Sequence, residues 1–366
     1  MKILLSITSL GMGGAERLVA NLADRFVALG HQVVLVYFHG EPSILPADPR
    51  VQLINIKMRR SVRGVFAALC RFRKLLIDFQ PDVVNSHLVH ANILTRLLRL
   101  VTPMPGLVSS AHNNNEEGWG RMFGYNITDR LADMSTNVSQ QAVQIFEQKK
   151  AVHPGRMVVI HNGIDTHYFG FDIGARQRVR AELGLEKDAS LLLAVGRLRQ
   201  SKDYPNLFQA FAALHKAGPL PYLVIAGDGP LRRELESLAC SLAITERVRF
   251  LGVRNDIPAL MSACDLFVLS SAREGFGLVV AEAMACERPV VATDCGGVRE
   301  VVGDAGFLVP PRDSEALATS LDETLRLPAD ERQRLGRAAR SRVVEHFSLS
   351  ATAERYLAVY QSGRRA

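Results

Sequence analysis

The sequence predicts an α/β protein of two doubly wound domains, each an open, mainly parallel sheet covered by helices. Short apolar segments alternate with amphipathic helical segments along the whole chain. One polar, turn-prone segment, 161–170, interrupts the alternation and predicts a linker. A chain of 366 residues exceeds the usual single core, and its 48% hydrophobic residues can fill two.

The first series of elements fills residues 1–165, the predicted N-terminal domain. Its apolar segments are short and end in Gly, Pro or charge, as buried parallel strands do. We predict strands at 3–8, 32–38, 51–56, 82–85, 107–110, 134–138 and 158–160, and helices at 15–29, 64–78, 91–100, 127–132 and 140–148.

The second series fills residues 166–345, the predicted C-terminal domain. We predict strands at 191–195, 222–226, 248–251, 266–269 and 289–292, and helices at 206–217, 231–243, 257–263, 278–286, 314–325 and 329–345. Residues 346–366 carry a last helix, 351–361, which the sequence permits to cross back to the first domain. Ligands of such sheets bind at the carboxyl ends of the strands, so we expect a cleft between the domains.

Composition argues against several classes of protein. No apolar segment reaches membrane-spanning length, and residues 1–8 lack a following signal-peptide cleavage site, so we interpret them as the first strand. The five cysteines are scattered without metal-ligand spacing, which predicts reduced thiols in a cytoplasmic protein.

The positive charge is concentrated in the first half. Residues 1–165 contain 18 Lys and Arg against 12 Asp and Glu, whereas the remaining residues contain 26 against 25. Segment 57–74 holds seven basic residues and no acid, interleaved with apolar residues. Two interpretations stay open: docking on an anionic membrane surface, as a peripheral protein of the cytoplasmic face, or an ordinary solvated helix. We expect no nucleic-acid partner.

The motif at 273–282 follows the predicted strand 266–269. Glu274 lies in the turn and Glu282 in the next helix, while Gly275 and Gly277 leave the backbone open to a ligand. The helix start carries partial positive charge that suits phosphate. Two glutamates around a helix start are often merely solvated, so the motif needs support from the rest of the chain.

Two cations supply that support after the predicted strand 191–195. Arg197 offers a planar fork and Lys202 a point charge, and together they fit a diphosphate. The turn at Gly227 and the loop at Gly252 and Val253 end other strands of the same sheet. This turn and this loop could line a nucleobase pocket, although the conformational needs of tight turns alone would explain the glycines.

The first half has a weaker pair of signals. Gly11, Gly13 and Gly14 open a helix whose N–H groups could reach a phosphate or sugar. Glu16 stands where the dinucleotide fingerprint needs Gly or Ala, which weakens an NAD site, although Glu41 lies at the ribose-binding distance. His112 follows a strand; such a histidine is usually structural, and an approach to the ligand is the alternative.

Several catalytic signatures are missing from the sequence. It contains no Asp-x-Asp, no His, Cys or carboxylate cluster with metal spacing, no Gly-x-Ser-x-Gly and no Walker loop. We therefore expect a leaving diphosphate to be stabilised by Arg197, Lys202 and helix dipoles, without a metal.

Taken in order, these motifs resemble the retaining glycosyltransferases of family four, which have the GT-B fold. The matching segments are Gly13-Gly14, His112, 162–165, Gly196-Arg197 with Lys202, 227–230, and Glu274 with Glu282. They span nearly the full chain. The resemblance implies two Rossmann-like domains facing each other across a cleft, the second binding the nucleotide-sugar donor and the first the acceptor.

The resemblance also implies residue roles. Arg197 and Lys202 would hold the donor diphosphate, Glu282 the ribose, and Glu274 the donor sugar. Backbone N–H groups of 275–278, that is Gly275, Phe276, Gly277 and Leu278, would assist. Gly14 would approach the phosphate, and His112 would lie beside the reacting sugar carbon. Leu278-Val279 departs mildly from a threonine sometimes found there.

The implied reaction moves a hexose or N-acetylhexosamine from a UDP-sugar to a saccharide or lipid-linked saccharide acceptor of surface polysaccharide, with no cofactor. A GDP-mannose donor is the alternative. Two other classes remain as rivals. A non-catalytic sugar-binding relative is disfavoured by the intact set of charged residues, and an NAD-dependent oxidoreductase predicts cofactor binding at Gly11–Gly14.

Overall fold

The chain divides into two compact units in a computed structural model, which describes residues 1–114, 118–186, 189–214 and 221–362. Unit 1 comprises Met1–Gly163 and Leu349–Ala366, and unit 2 comprises Ile164–Ser348. The unit boundaries therefore fall at 163 and 348, where the sequence predicts 165 and 345.

Unit 1 is built on a parallel sheet of seven strands in the order β3-β2-β1-β4-β5-β6-β7. Its strands are β1 (Lys2–Ile7), β2 (Gln32–Tyr37), β3 (Gln52–Asn55), β4 (Val83–His87), β5 (Leu107–Ser110), β6 (Met134–Asn137) and β7 (Met157–Val159). Its first five helices are α1 (Gly14–Ala28), α2 (Val62–Phe79), α3 (Val89–Leu98), α4 (Trp119–Thr128) and α5 (Gln140–Gln148).

Unit 2 has a parallel sheet of six strands in the order β10-β9-β8-β11-β12-β13. The strands are β8 (Leu191–Val195), β9 (Tyr222–Ala226), β10 (Val248–Gly252), β11 (Leu266–Leu269), β12 (Val290–Thr293) and β13 (Phe307–Val309). The helices are α6 (Ile173–Glu182), α7 (Tyr204–Ala213), α8 (Arg232–Ser241), α9 (Ile257–Ala263), α10 (Leu278–Ala285), α11 (Val298–Val302), α12 (Ser314–Arg326) and α13 (Ala329–Phe347).

The last helix, α14 (Leu349–Ser362), packs within unit 1. Tyr356 and Tyr360 join the apolar cluster that Phe26 of α1 forms against one face of the sheet. The Tyr360 hydroxyl accepts a hydrogen bond of 2.7 Å from the Asn85 side-chain amide. Helices α2 and α3 cover the opposite face, where Phe72 is fully buried. The sheet of unit 1 is thus covered on both faces, as a parallel sheet requires.

Both sheets reverse their strand order beside the first strand of the unit. In unit 1 the reversal lies between β1 and β4, and in unit 2 between β8 and β11. Ligands of open α/β sheets bind at the carboxyl ends of the strands at such a point. These two places are therefore where functional residues are expected.

Several predicted elements need correction. The helix predicted at 127–132 is the end of α4, which begins at Trp119, followed by a 3₁₀ turn. Elements α6, α11 and β13 were not predicted. Residues 215–217 of the helix predicted at 206–217 lie outside the described residues.

The segment 161–170, predicted as a linker, contains the boundary between the two units at Gly163 and Ile164, and its second part is well packed. Ile164 and Phe169 are buried. The Arg340 guanidinium of α13 donates hydrogen bonds of 3.1 Å to the carbonyl oxygens of Thr166 and Phe169. Tertiary contacts, rather than an internal pattern, hold this segment on unit 2.

Candidate active site

The loops at the carboxyl ends of β8 and β11 carry the residues of unit 2 that are predicted to bind a diphosphate and a sugar. The two strands pair directly, because Leu192 and Leu193 of β8 lie beside Leu266 and Phe267 of β11. The loop after β8 carries Arg197 and Lys202, and the loop after β11 carries Glu274. Residues that lie 72 positions apart in sequence therefore share one sheet edge.

Lys202 and Glu274 form an ion pair at this edge. The Lys202 ammonium donates a hydrogen bond of 2.6 Å to Glu274 Oε1, and the Ser271 hydroxyl donates one of 2.7 Å to the same oxygen. The side chains are only 20% and 14% exposed, so solvent screens the pair less than at an open surface. The two residues that the sequence assigns to phosphate and sugar therefore contact each other directly.

Backbone contacts fix the two loops against each other. The Ala272 N–H donates to the Ser201 carbonyl oxygen at 2.9 Å, and the Ser270 hydroxyl donates to the Lys202 carbonyl oxygen at 2.9 Å. The Thr293 hydroxyl of β12 donates to the Ser271 carbonyl oxygen at 2.6 Å. These bonds limit the freedom of Lys202 and Glu274 before any ligand binds, which lowers the entropy cost of binding.

Two further polar residues in this place were not predicted from the sequence. The buried Tyr204 hydroxyl donates to the Gly196 carbonyl oxygen at 3.0 Å. Burial, and then the Glu274 charge, raise the pKa of Tyr204, so it stays a neutral donor. Burial raises the pKa of Cys295 to about 11, and the nearby Glu274 charge adds to the rise. The available sequence signal was the position of Tyr204 and Cys295 shortly after β8 and β12, at the carboxyl ends of two strands of the same sheet.

Arg197 lies exposed on the loop after β8. Within the described ranges its guanidinium has no ion-pair or hydrogen-bond partner. A guanidinium and a half-buried ammonium on one loop can together bind an anion with several oxygens. The same two loops also carry Arg199 and Arg273, so basic residues outnumber acidic ones on them.

The start of α10 adds partial positive charge. Gly277 caps the helix with φ of 92° and without a side-chain hydrogen bond, a conformation that favours glycine. The first N–H groups of a helix have no partner inside it, so those of Leu278 and Val279 are oriented for an acceptor, whereas the Val280 N–H donates to the Gly277 carbonyl oxygen at 2.9 Å. Phe276 is buried and packs edge-on against Phe347, with ring centroids 5.6 Å apart, which anchors the loop.

Glu282 lies one turn into α10 and is half-buried. It is on the helix whose N-terminus carries Gly277, as the sequence predicts. Its role toward a ribose stays a prediction.

The glycines predicted to line a nucleobase pocket have a packing role. A methyl group on Gly227 would lie 2.1 Å from the Gly196 carbonyl oxygen, and one on Gly229 would lie 2.4 Å from that of Leu198. The Gly227 N–H donates to the Gly252 carbonyl oxygen at 2.7 Å. Close backbone contact between the loops explains Gly227, whereas Gly252 has open space around it and Val253 is exposed.

The corresponding place in unit 1 holds a pair of histidines. His87 ends β4 and His112 follows β5. His87 Nδ1 and His112 Nε2 lie 3.0 Å apart in a buried hydrogen bond, and the outer nitrogens, His87 Nε2 and His112 Nδ1, have no partner in the described part of the chain. Burial lowers the pKa of His112 to about 4 and that of His87 well below its usual value. Both imidazoles are therefore neutral near pH 7.

His112 was predicted from the sequence and His87 was not. The available signal was the polar run Asn85-Ser86-His87 at the end of a buried strand. Because neutral imidazole is a donor at one nitrogen and an acceptor at the other, the bond to His87 couples the tautomers of the two rings.

The glycines at the start of α1 take the predicted place, but their surroundings differ from the prediction. Gly13 caps α1 and Gly14 is its first residue. The Glu16 carboxylate folds over this helix start, since a methyl group on Gly13 would lie 2.3 Å from Glu16 Oε2. Burial raises the pKa of Glu16. The N-terminus of α1 is thus covered by its own carboxylate in the ligand-free protein.

The charged groups at β8 and β11 suit an anion better than a metal ion. No three His, Cys, Asp or Glu side chains in the described ranges group closely enough to hold a metal ion. The arrangement at β8 and β11 offers instead an unpaired guanidinium, a paired ammonium, a helix start and a carboxylate. Such a set can bind a diphosphate and hydrogen-bond a hydroxyl group beside it.

Two family models match the sequence. Residues 12–168 match the model described as Glycosyltransferase Family 4, and residues 175–342 match the model described as Glycosyl transferases group 1.

Curated relatives extend this similarity. The putative glycosyltransferase EpsD of Bacillus subtilis is 34% identical over 304 residues, 80% of this chain and 79% of the relative. The N-acetyl-alpha-D-glucosaminyl L-malate synthase of Bacillus anthracis is 32% identical over 235 residues, which are 63% of this chain and 59% of that relative. A Campylobacter jejuni enzyme named N-acetylgalactosamine-N,N'-diacetylbacillosaminyl-diphospho-undecaprenol 4-alpha-N-acetylgalactosaminyltransferase is 28% identical, with 84% of each chain covered.

Solved structures show the same fold. HepE of Anabaena, solved in complex with UDP, superposes with a TM-score of 0.84 at 24% identity, covering 99% of this chain and 100% of HepE. At this level of identity the likeness concerns the fold.

Proposed function

Because the chain belongs to the group 1 glycosyltransferases of family four and has the GT-B fold, we propose that it transfers a hexose or N-acetylhexosamine from a nucleotide-diphosphate sugar with retention of anomeric configuration. The proposed donor is a UDP-sugar, and GDP-mannose is the alternative. The proposed acceptor is a saccharide or lipid-linked saccharide of surface polysaccharide biosynthesis, reached at the cytoplasmic face of the membrane.

The observation that carries the proposal is the Lys202–Glu274 pair, with Arg197 on the same loop as Lys202, at the point where the unit 2 sheet reverses. A Lys ammonium has three N–H donors, and the bond to Glu274 uses one of them. The others are available to phosphate oxygens, together with the Arg197 fork. The donor diphosphate would therefore add to the pair rather than replace it.

The same charges support catalysis without a resident metal. Negative charge builds up on the diphosphate as the bond to the sugar breaks, and Arg197, Lys202 and the N-terminus of α10 would stabilise it. The leaving phosphate oxygen would accept the proton of the incoming acceptor hydroxyl on the same face of the sugar, as the family resemblance implies. No protein nucleophile is then required, and Glu274 positions the donor sugar.

The name of one relative, N-acetyl-alpha-D-glucosaminyl L-malate synthase, supports the sugar class. The name of a second relative includes an N-acetylgalactosaminyltransferase and a diphospho-undecaprenol saccharide, which supports both the sugar and the acceptor class. His112 and Gly14 keep, as part of the proposal, the roles that the family resemblance implies. A neutral imidazole such as His112 can donate a hydrogen bond to a sugar hydroxyl without adding charge.

Thermal stabilisation tests the donor class. Ligands that bind only the folded protein raise its melting temperature, so UDP, GDP and ADP should be compared at equal concentration. We expect UDP to give the largest rise and Lys202→Met to reduce it, while Arg334→Met serves as an exposed control on α13. A larger rise with GDP would select the alternative donor, and no rise with any diphosphate would overturn the proposal.

Product analysis tests the chemistry. We expect the anomeric proton of the product, measured by NMR, to show the configuration of the donor, and turnover to persist with EDTA. Inverted configuration, or activity restored only by added metal, would contradict the retaining, metal-independent mechanism.

A further inference from the structure

We propose that the outward side of α2, α3 and α4 is a membrane-docking surface, and that the apolar stripe of α4 inserts at the interface of an anionic lipid bilayer. This surface would bring the enzyme to the proposed lipid-linked acceptor, and in that respect it rests on the proposed function. The evidence for it lies entirely in unit 1.

The stripe consists of Trp119, Phe123 and Ile127, spaced four residues apart on one side of α4. Their exposures are 82%, 49% and 62%, and the Trp119 and Phe123 rings stack with centroids 5.3 Å apart. The opposite side of α4 supplies the buried Met122 and Tyr125. Soluble surfaces rarely expose large apolar side chains contiguously, so this stripe indicates a docking site.

Neighbouring helices also expose apolar side chains. α2 contacts α3, and α3 contacts α4; α2 and α3 share one core cluster, and α3 and α4 share the next. Phe66 of α2 is exposed, as are Leu100 and Val101 after α3. The Arg73 guanidinium donates a hydrogen bond of 3.2 Å to the Val101 carbonyl oxygen, which places a cation beside these apolar side chains. Cations among exposed apolar groups are typical of interfacial surfaces.

Charge complementarity identifies the occupant as anionic lipid. α2 exposes four basic residues against the single acid Asp78, α3 contains no acid, and α4 contains Arg121 and no acid. Lys57, Arg59 and Arg60 precede α2 and are exposed. Glu116 and Glu117 precede α4 in the sequence and lie outside the described residues. α2 and the residues before it therefore supply most of the positive charge, and α4 supplies the apolar side chains that insert into the bilayer.

The geometry selects an interfacial position over a membrane-spanning one. α4 has ten residues, about 15 Å of helix, which is half the thickness of a bilayer core. None of the helices in the described ranges is long and apolar enough to cross a membrane. Tryptophan is enriched at the membrane–water interface, where its ring meets acyl chains and its N–H meets water.

The sequence offers a built-in probe, because Trp119 is its only tryptophan. The full-length protein should be mixed with vesicles of phosphatidylcholine alone and with vesicles containing phosphatidylglycerol. We expect co-sedimentation with the anionic vesicles only. We also expect the Trp119 emission to shift to shorter wavelength and to be quenched by lipids brominated near the headgroup end of their chains.

Variants separate the two parts of the surface. Phe123→Ser with Ile127→Ser should weaken binding to anionic vesicles by at least about tenfold. Each substitution removes the favourable free energy of transferring an apolar side chain from water to lipid. The matched control Ile173→Ser alters a similarly exposed isoleucine of unit 2 and should leave binding unchanged. Changing Arg59, Arg60, Arg63, Arg71 and Arg73 to Ser should weaken binding about tenfold or more and remove its salt dependence.

Three outcomes would overturn the inference. The first is no binding to anionic vesicles, and the second is binding with unchanged Trp119 emission. The third is an emission shift that follows protein concentration without lipid, with a dimer seen by light scattering, which would assign the stripe to a second copy. Stabilisation by UDP should be the same in all variants, so a failure here is distinguishable from a failure of the proposed transfer.

Discussion

The two units share a strand order but differ in the chemistry that they place where the order reverses. In unit 2 this place carries an exposed guanidinium and a half-buried ion pair, Lys202 with Glu274. In unit 1 it carries two buried, neutral imidazoles and a helix start covered by Glu16. One fold thus presents charged side chains in one unit and uncharged hydrogen-bonding groups in the other. The strand order determines where the residues lie, and the loops determine what they bind.

We expect the largest effect when the negative charge of the Lys202–Glu274 ion pair is removed. Glu274→Gln keeps the shape of the side chain and removes its charge. We expect kcat to fall by about 100- to 1000-fold, in the range seen when one transition-state contact is removed. UDP affinity should change little, because the Lys202 N–H donors proposed to bind the phosphate are not the one that bonds to Glu274. The measurements are steady-state kinetics and calorimetric titration, and unchanged turnover would remove Glu274 from the mechanism.

Acid should weaken unit 1 through its histidines. In the unfolded chain a histidine takes up a proton near pH 6.5, whereas burial keeps the pKa of His112 at about 4 in the folded protein. Between these values the unfolded state binds more protons. The free energy of unfolding should therefore fall as the pH drops from about 6.5 to 4, by roughly 3 kcal/mol for His112.

Denaturant unfolding across this pH window provides the measurement. The double variant His87→Asn with His112→Asn should show a flatter dependence of stability on pH than the unaltered protein. Equal slopes would show that the histidine pair is not the source of the acid sensitivity.

Two glycines of unit 2 give a matched pair of smaller effects. Gly227→Ala would place a methyl group 2.1 Å from a backbone oxygen at φ of 143°, so we expect a loss of about 2 kcal/mol or more and weaker nucleotide binding. Gly252→Ala meets open space at φ of 68° and should cost about 1 kcal/mol. Thermal unfolding of both variants, with and without UDP, tests this order, and equal losses would contradict the packing role of Gly227.

The smallest effect concerns Glu16. Burial raises the pKa of its carboxyl group, so ionised Glu16 costs stability at pH values above that pKa. Glu16→Gln should therefore raise the free energy of unfolding at pH 7 by less than about 1 kcal/mol, and the gain should vanish near pH 4. Denaturant unfolding at both pH values decides, with the exposed Glu41→Gln as control. A clear loss at pH 7 would show that the charge stabilises α1 instead.

The same contrast shows what the sequence predicts well. Strands β8, β9 and β11 and helices α5 and α9 have their predicted bounds, because apolar runs and helical periodicity mark them locally. Lys202 and Glu274 lie together as predicted, because polar residues that directly follow apolar parallel strands gather at one sheet edge. Their role, and that of Arg197, toward a ligand stays a prediction.

Contacts between distant residues could not be predicted in the same way. Helix α6 was missed because it buries only Ala175 and Val179, and arginine contacts add to its attachment: the Arg176 guanidinium donates hydrogen bonds of 2.7 and 2.9 Å to the carbonyl oxygens of Ala263 and Cys264. His87 and His112 lie 25 positions apart, and their pairing depends on the alignment of β4 with β5. The pattern of a single segment carries no information on either contact.

The central claim is that Arg197 and Lys202 bind the diphosphate of the donor. Calorimetric titration of UDP into the unaltered protein, Arg197→Gln, Lys202→Met and the exposed control Arg334→Gln tests it most directly. Since a hydrogen bond to a charged group contributes about 1.5–3 kcal/mol, each site variant should bind UDP at least about tenfold more weakly, and the control should match the unaltered protein. Equal affinity in all four proteins would contradict the claim.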